Sequence, residues 1–155
     1  MRKKKEVEEL GSIRVEITEK ALLNRIGAAQ NRKVSTRVKA GIKKAMEEVS
    51  RYIDAKAIFR ILPVIKKNGS VVLDGGFSFK SSNLRVMLSH CDRAAVFMAT
   101  IGPKVEEKIK EYMDSHPHYG VILDAAASTA AEETAEYTQN YIDEKLSREE
   151  KTTLR

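Results

Sequence analysis

Glu132 is the residue whose surroundings in the sequence most need a chemical explanation. A helix advances ~100° per residue, so spacings of three and four trace one stripe along its surface. Glu132 falls near the stripe of Val121, Ala125, Ser128, Ala135, Ile142 and Leu146, with Gln139 beside it. A second stripe holds Leu123, Ala127, Ala130, Thr134, Tyr137 and Tyr141, and the wet face holds Glu133, Glu136, Asn140, Asp143 and Glu144. Glu132 is thus a carboxylate among small and apolar residues. Burying a carboxylate is costly unless it is paired or hydrogen-bonded. Two readings follow. Either Glu132 lies at the stripe's edge, reaching water or pairing with a lysine, or it awaits a cationic or hydroxyl-bearing ligand.

Other groups with chemical potential are weaker. His90-Cys91-Asp92 sets three metal-ligand types in a row, but adjacent side chains diverge and no second cluster stands at metal-site spacing. His116-Pro117-His118 reads as a solvated turn. Asp74-Gly75-Gly76 reads as a turn, since no phosphate-binding glycine pattern follows it. No motif context suggests a Ser-His-Asp arrangement.

The elements that carry these residues alternate in period. Residues 1–11 form a charged lead-in. Ser12 to Thr18 alternates Ile13, Val15 and Ile17 with polar residues, the pattern of a half-buried strand. Thr18 caps a short helix over 19–26, and 27–33 is a loop. Ser35 or Thr36 caps a helix with Val38, Ile42, Ala45, Met46, Val49 and Ile53 on one face. Ala57 to Ile65 is a strand whose end Pro63 places near an edge. Asn68-Gly69 turns it into a return strand over 70–73, and Phe77 and Phe79 alternate again. Ser81 or Ser82 starts a helix through Leu88 with Leu84, Val86, Met87 and Leu88 on its apolar side. Ala94 to Thr100 is a continuous apolar run, as in a central strand. Pro103 opens a helix to about Tyr112 with Val105, Ile109 and Tyr112 inward; 115–119 is a loop, and the long alanine-rich helix runs from about Tyr119 to Leu146. Its front half, with Ala125 to Ala131, is expected to be buried and to admit close neighbours. Residues 147–155 are a charged tail.

Composition sets the class. A chain of 155 residues suits one domain of ordinary size, and no linker divides it. With 42% hydrophobic and 32% charged residues, both a normal core and a solvated surface are possible. The single cysteine, Cys91, excludes an intrachain disulfide and fits a reducing compartment. The basic start runs into Glu6, Glu8 and Glu9 rather than an apolar stretch, and no window approaches the ~20 apolar residues of a membrane span. The expectation is a cytoplasmic α+β domain, with a mixed or antiparallel sheet flanked by helices and a long alanine-rich C-terminal helix.

Five stretches together resemble one family: Ala57 to Pro63 (AIFRILP), Ser89 to Asp92, Phe97 to Lys108 (FMATIGPKVEEK), Leu123 to Tyr137 (LDAAASTAAEETAEY) and the final Thr153-Leu154-Arg155. In order and spacing they are similar to the activation domain of cobalamin-dependent methionine synthase, in a small stand-alone form. The similarity covers most of the chain from about Ile13. It implies an α+β fold that binds S-adenosylmethionine, docks on a corrinoid protein such as methionine synthase, and offers the methyl group when cobalamin has been oxidised. A flavodoxin-type reductant supplies the electron. Such a domain is a non-catalytic component that binds and orients, while the metal chemistry belongs to the cobalamin.

The resemblance carries three residues over. Glu132 matches the family's helix glutamate that contacts S-adenosylmethionine. Arg155 matches the arginine opening the family's Arg-x-x-Pro-Gly-Tyr segment. Asp54, in Tyr52-Ile53-Asp54, matches an aspartate on the N-terminal side of the site. A glutamate suits the ligand's ammonium, an arginine its carboxylate, and a second carboxylate the ribose hydroxyls or the sulfonium's surroundings. The sequence stops at Arg155, before the Pro-Gly-Tyr part, so the expectation is weak binding as it stands.

Two other readings stay open. The net charge of +6 and pI near 9.4 fit a basic nucleic-acid-binding module. Few aromatics and no RNA-binding or helix-turn-helix signature count against it. The other is a docking domain that binds no small molecule.

Overall fold

The structure is a computed structural model that describes residues 7–27, 34–67, 70–74 and 76–148, with residues 66, 67 and 77 described by backbone alone. The fold is α+β, with an antiparallel sheet and a long C-terminal helix. The elements run β1 (Glu8–Leu10), α1 (Glu19–Arg25), α2 (Thr36–Tyr52), β2 (Lys56–Lys67), β3 (Ser70–Leu73), β4 (Phe77–Phe79), α3 (Ser82–Met87), β5 (Arg93–Thr100), α4 (Pro103–Ser115) and α5 (Pro117–Ser147). Contacts divide the chain into two compact units, one of Met1–Glu9 with Ile58–Met98, the other of Leu10–Ala57 with Ala99–Arg155.

The second unit carries the helices and the main core. Thr18 Oγ1 accepts from the Ala21 N–H and Ser35 Oγ from the Val38 N–H, so α1 and α2 start where their caps place them. Leu22 of α1, Ile42, Ala45 and Val49 of α2, and Val105 and Ile109 of α4 close on Leu123, Ala126, Ala127 and Ala130 of α5. The small side chains at 125–130 let three helices approach the α5 backbone. Thr129, Thr134 and Thr138 are also buried, and each hydroxyl donates to the carbonyl four residues back, at 2.9, 2.7 and 2.8 Å. None of these three hydroxyls is left unpaired.

Three sequence expectations change here. Residues 12–18 form no strand; they keep the alternation, with Ile13 buried and Val15 and Ile17 half-buried, and Ile13 N–H donates to the Ala55 carbonyl. The strand is β1, inside the stretch read as a lead-in. The loop at 115–119 shrinks to His116 alone, because Pro117 opens α5 at a position that needs no N–H donor. Gly120 follows at a crowded corner, where an added Cβ would stand 2.9 Å from the Met113 sulfur and 3.0 Å from its backbone nitrogen.

In the first unit β2 pairs antiparallel with β3 from Val64↔Leu73 to Lys67↔Ser70, and β3 with β4 from Val71↔Phe79 to Leu73↔Phe77. The Asn68-Gly69 turn and Gly75 lie outside the described residues. Pro63 does not end β2: its carbonyl accepts from the Asp74 N–H, and the strand runs on to Lys67. Leu62, Val71 and Leu73 form this unit's core with Val64, Leu88 and Ala94 against them. Ser81 caps α3, yet no α3 residue is buried, and Val86 is 71% exposed. The apolar run of β5 pairs with β2 but is exposed at all positions except Ala94, so it is no buried central strand. Apolar composition reports what a strand tolerates, while burial depends on what packs over it.

Candidate functional site

Glu132 lies two residues past Ala130, the last buried alanine of α5, where the helix surface turns toward water. Its side chain is 71% exposed. Arg25, in the last turn of α1, donates from a terminal guanidinium nitrogen to Glu132 Oε2, and from Nε to Thr129 Oγ1 at 3.1 Å. Thr129 is buried and its own hydroxyl donates to the Ala125 carbonyl. The guanidinium is therefore anchored by the helix core on one side and holds the carboxylate on the other. This is the edge-of-stripe reading of Glu132, with an arginine in place of the expected lysine. A carboxylate accepts several hydrogen bonds, so Oε1 can still receive a ligand's N–H.

Asp54 sits on the connection between α2 and β2. Its N–H donates to the Ile101 carbonyl at 2.9 Å. Its carboxylate Oδ2 accepts from Lys56 Nζ at 2.7 Å, a pair with both side chains more than half exposed. Gly102 follows, with φ 85° and ψ 160°, and caps α4 without a side-chain bond. That backbone region is essentially reserved for glycine. The turn is also crowded, because a Cβ on Gly102 would stand 3.0 Å from the Asp54 Cβ. The Gly102 N–H donates to Thr100 Oγ1 at 3.1 Å.

Asp54 and Glu132 share no hydrogen-bond partner: one faces the start of α4, the other α1. Arg155 lies outside the described residues. Of the three residues carried by the resemblance, the structure thus gives two carboxylates, each held by a cation of this chain.

A polar cluster that the sequence did not single out joins α2 to the α4–α5 corner. Glu48 accepts from Tyr112 Oη at 3.0 Å and from Tyr119 Oη at 2.7 Å, one tyrosine on each carboxylate oxygen. The two rings meet edge to face, 4.7 Å between centroids. Lys44 Nζ lies 4.9 and 4.3 Å from the two centroids. Burial pushes the Tyr119 hydroxyl well above its ordinary value, and the hydrogen bond to Glu48 adds to the shift. Only the i,i+4 spacing of Lys44 and Glu48 on α2 hinted at this group. Its chemistry is a packing clamp of aromatic, cation and carboxylate.

Among the described residues no three His, Cys, Asp or Glu side chains converge on a common point, and no helix is long and apolar enough to cross a membrane. No protein-family model and no curated protein matches the chain.

Proposed function

We propose that this chain is an accessory domain for reductive reactivation of a corrinoid protein, of which cobalamin-dependent methionine synthase is the type case, and that it presents S-adenosylmethionine to the oxidised cobalamin. The observation that carries the reading is the contact of Gly102 with Asp54. It joins the Ala-Thr-Ile-Gly-Pro turn of the resemblance to Asp54, a residue the resemblance carries over, through the hydrogen bond from Asp54 N–H to Ile101. In this reading Glu132 takes the ligand's ammonium, Arg155 its carboxylate and Asp54 a ribose hydroxyl. The domain binds and orients, a flavodoxin-type reductant provides the electron, and methyl transfer occurs on the partner's cobalamin. Arg25 sets the terms at Glu132: the ammonium must share the carboxylate or displace the guanidinium. Calorimetric titration with S-adenosylmethionine, on this chain and on one extended past Arg155, tests the reading. Heat of binding that is lost in Glu132→Ala supports it.

One observation favours a second reading, a docking domain without a small molecule. Both carboxylates are already neutralised, Glu132 by Arg25 and Asp54 by Lys56. Co-purification with a methionine synthase lacking its own activation domain, with no heat from S-adenosylmethionine in either chain, would select it.

A further inference from the structure

The second unit contains a solvent-open cleft between the 12–18 stretch and α2; its lining includes Ile53, the residue before Asp54, but neither Asp54 nor Glu132. Its volume, about 390 Å³, falls in the range of small-molecule sites. Val15 and Ile17 form one wall, and Met46, Val49 and Ile53 of α2 the other. Glu47 and Ser50 are the polar groups that line it, and both are exposed. Neither makes a hydrogen bond or ion pair among the described residues; Lys43, one turn before Glu47, is not paired with it. Among the described residues no cationic side chain lines the cleft. Met46 adds a flexible, polarisable wall that adapts to a guest's shape.

We infer that this cleft binds a small organic cation, an ammonium group carried on an apolar body. The apolar walls take the body, the Glu47 carboxylate faces the charge, and the Ser50 hydroxyl offers one acceptor beside it. An anion would meet Glu47 with no compensating cation among the described lining residues. The inference stands independently of the S-adenosylmethionine reading.

Benzyltrimethylammonium is a suitable probe, with benzyl alcohol as the neutral comparison and benzoate as the anionic one. Methyl NMR of the full chain follows Ile17, Met46 and Ile53. The expected result is saturable shifts at these methyls with benzyltrimethylammonium. Glu47→Gln, an exposed substitution that leaves the remaining spectrum in place, weakens that binding about fivefold, the scale of a solvent-exposed charge pair. The same substitution leaves benzyl alcohol unchanged. The inference is overturned if no saturable shift occurs, if benzoate binds as well as the cation, or if Glu47→Gln binds the cation as tightly as the parent.

Discussion

Gly102 meets Asp54 so closely that its missing Cβ is a structural requirement: an added Cβ would lie 3.0 Å from the Asp54 Cβ and 3.4 Å from its backbone nitrogen. The turn places the first residues of α4 beside the α2–β2 connection, and the Asp54 N–H bond to Ile101 fixes that spacing.

Gly102→Ala is therefore expected to destabilise the chain by about 2 kcal/mol or more, from a strained backbone and a tight contact with the Asp54 Cβ together. Asp54→Ala keeps the backbone bond and is expected to cost under about 1 kcal/mol, since the Lys56 pair is exposed. Urea unfolding of the two variants measures the contrast. Equal losses would mean that the carboxylate, not the turn, holds this junction.

Tyr119 gives the fold an alkaline limit. Its hydroxyl titrates far above the ordinary value of 10.0, so the folded state keeps a proton that the unfolded state releases. The sign follows from linkage: the contribution is complete below the unfolded pKa and is lost as pH rises above it. Stability is thus expected to fall as pH passes about 10, and Tyr119→Phe should flatten that fall while losing part of the Glu48 anchor. Denaturation midpoints across that range, parent against variant, test it; parallel pH profiles would contradict it.

The Arg25–Glu132 pair should contribute little to stability by itself. Glu132 is 71% exposed, and a double-mutant cycle of Arg25→Ala and Glu132→Ala is expected to give a coupling of about 1 kcal/mol or less. Thr129→Val should cost more than Glu132→Ala, because it leaves Arg25 Nε without its acceptor beside a buried helix face. A reversed order would place the weight of this contact on the ion pair.

Much of the scaffold is legible from local chemistry. Thr18, Ser35, Ser81 and Pro103 start their helices where cap and N1 chemistry put them, and the hairpin register brackets Asn68-Gly69 from both sides. These depend on neighbours within a few residues. What was not legible depends on distant partners or on single residues. Arg25 is 107 positions from Glu132, so the stripe could flag the carboxylate without naming its cation. The exposure of β5 reflects what packs over the strand, which its apolar run does not encode. Tyr112 and Tyr119 read as core and loop, respectively, yet both are donors to Glu48, 64 and 71 positions away.

The most direct test of the account is calorimetric titration with S-adenosylmethionine, on this chain and on a chain extended past Arg155. The account predicts weak heat with the first, stronger binding with the second, and loss of binding in the extended Glu132→Ala variant. No heat from the extended chain, or binding unchanged by Glu132→Ala, would contradict it.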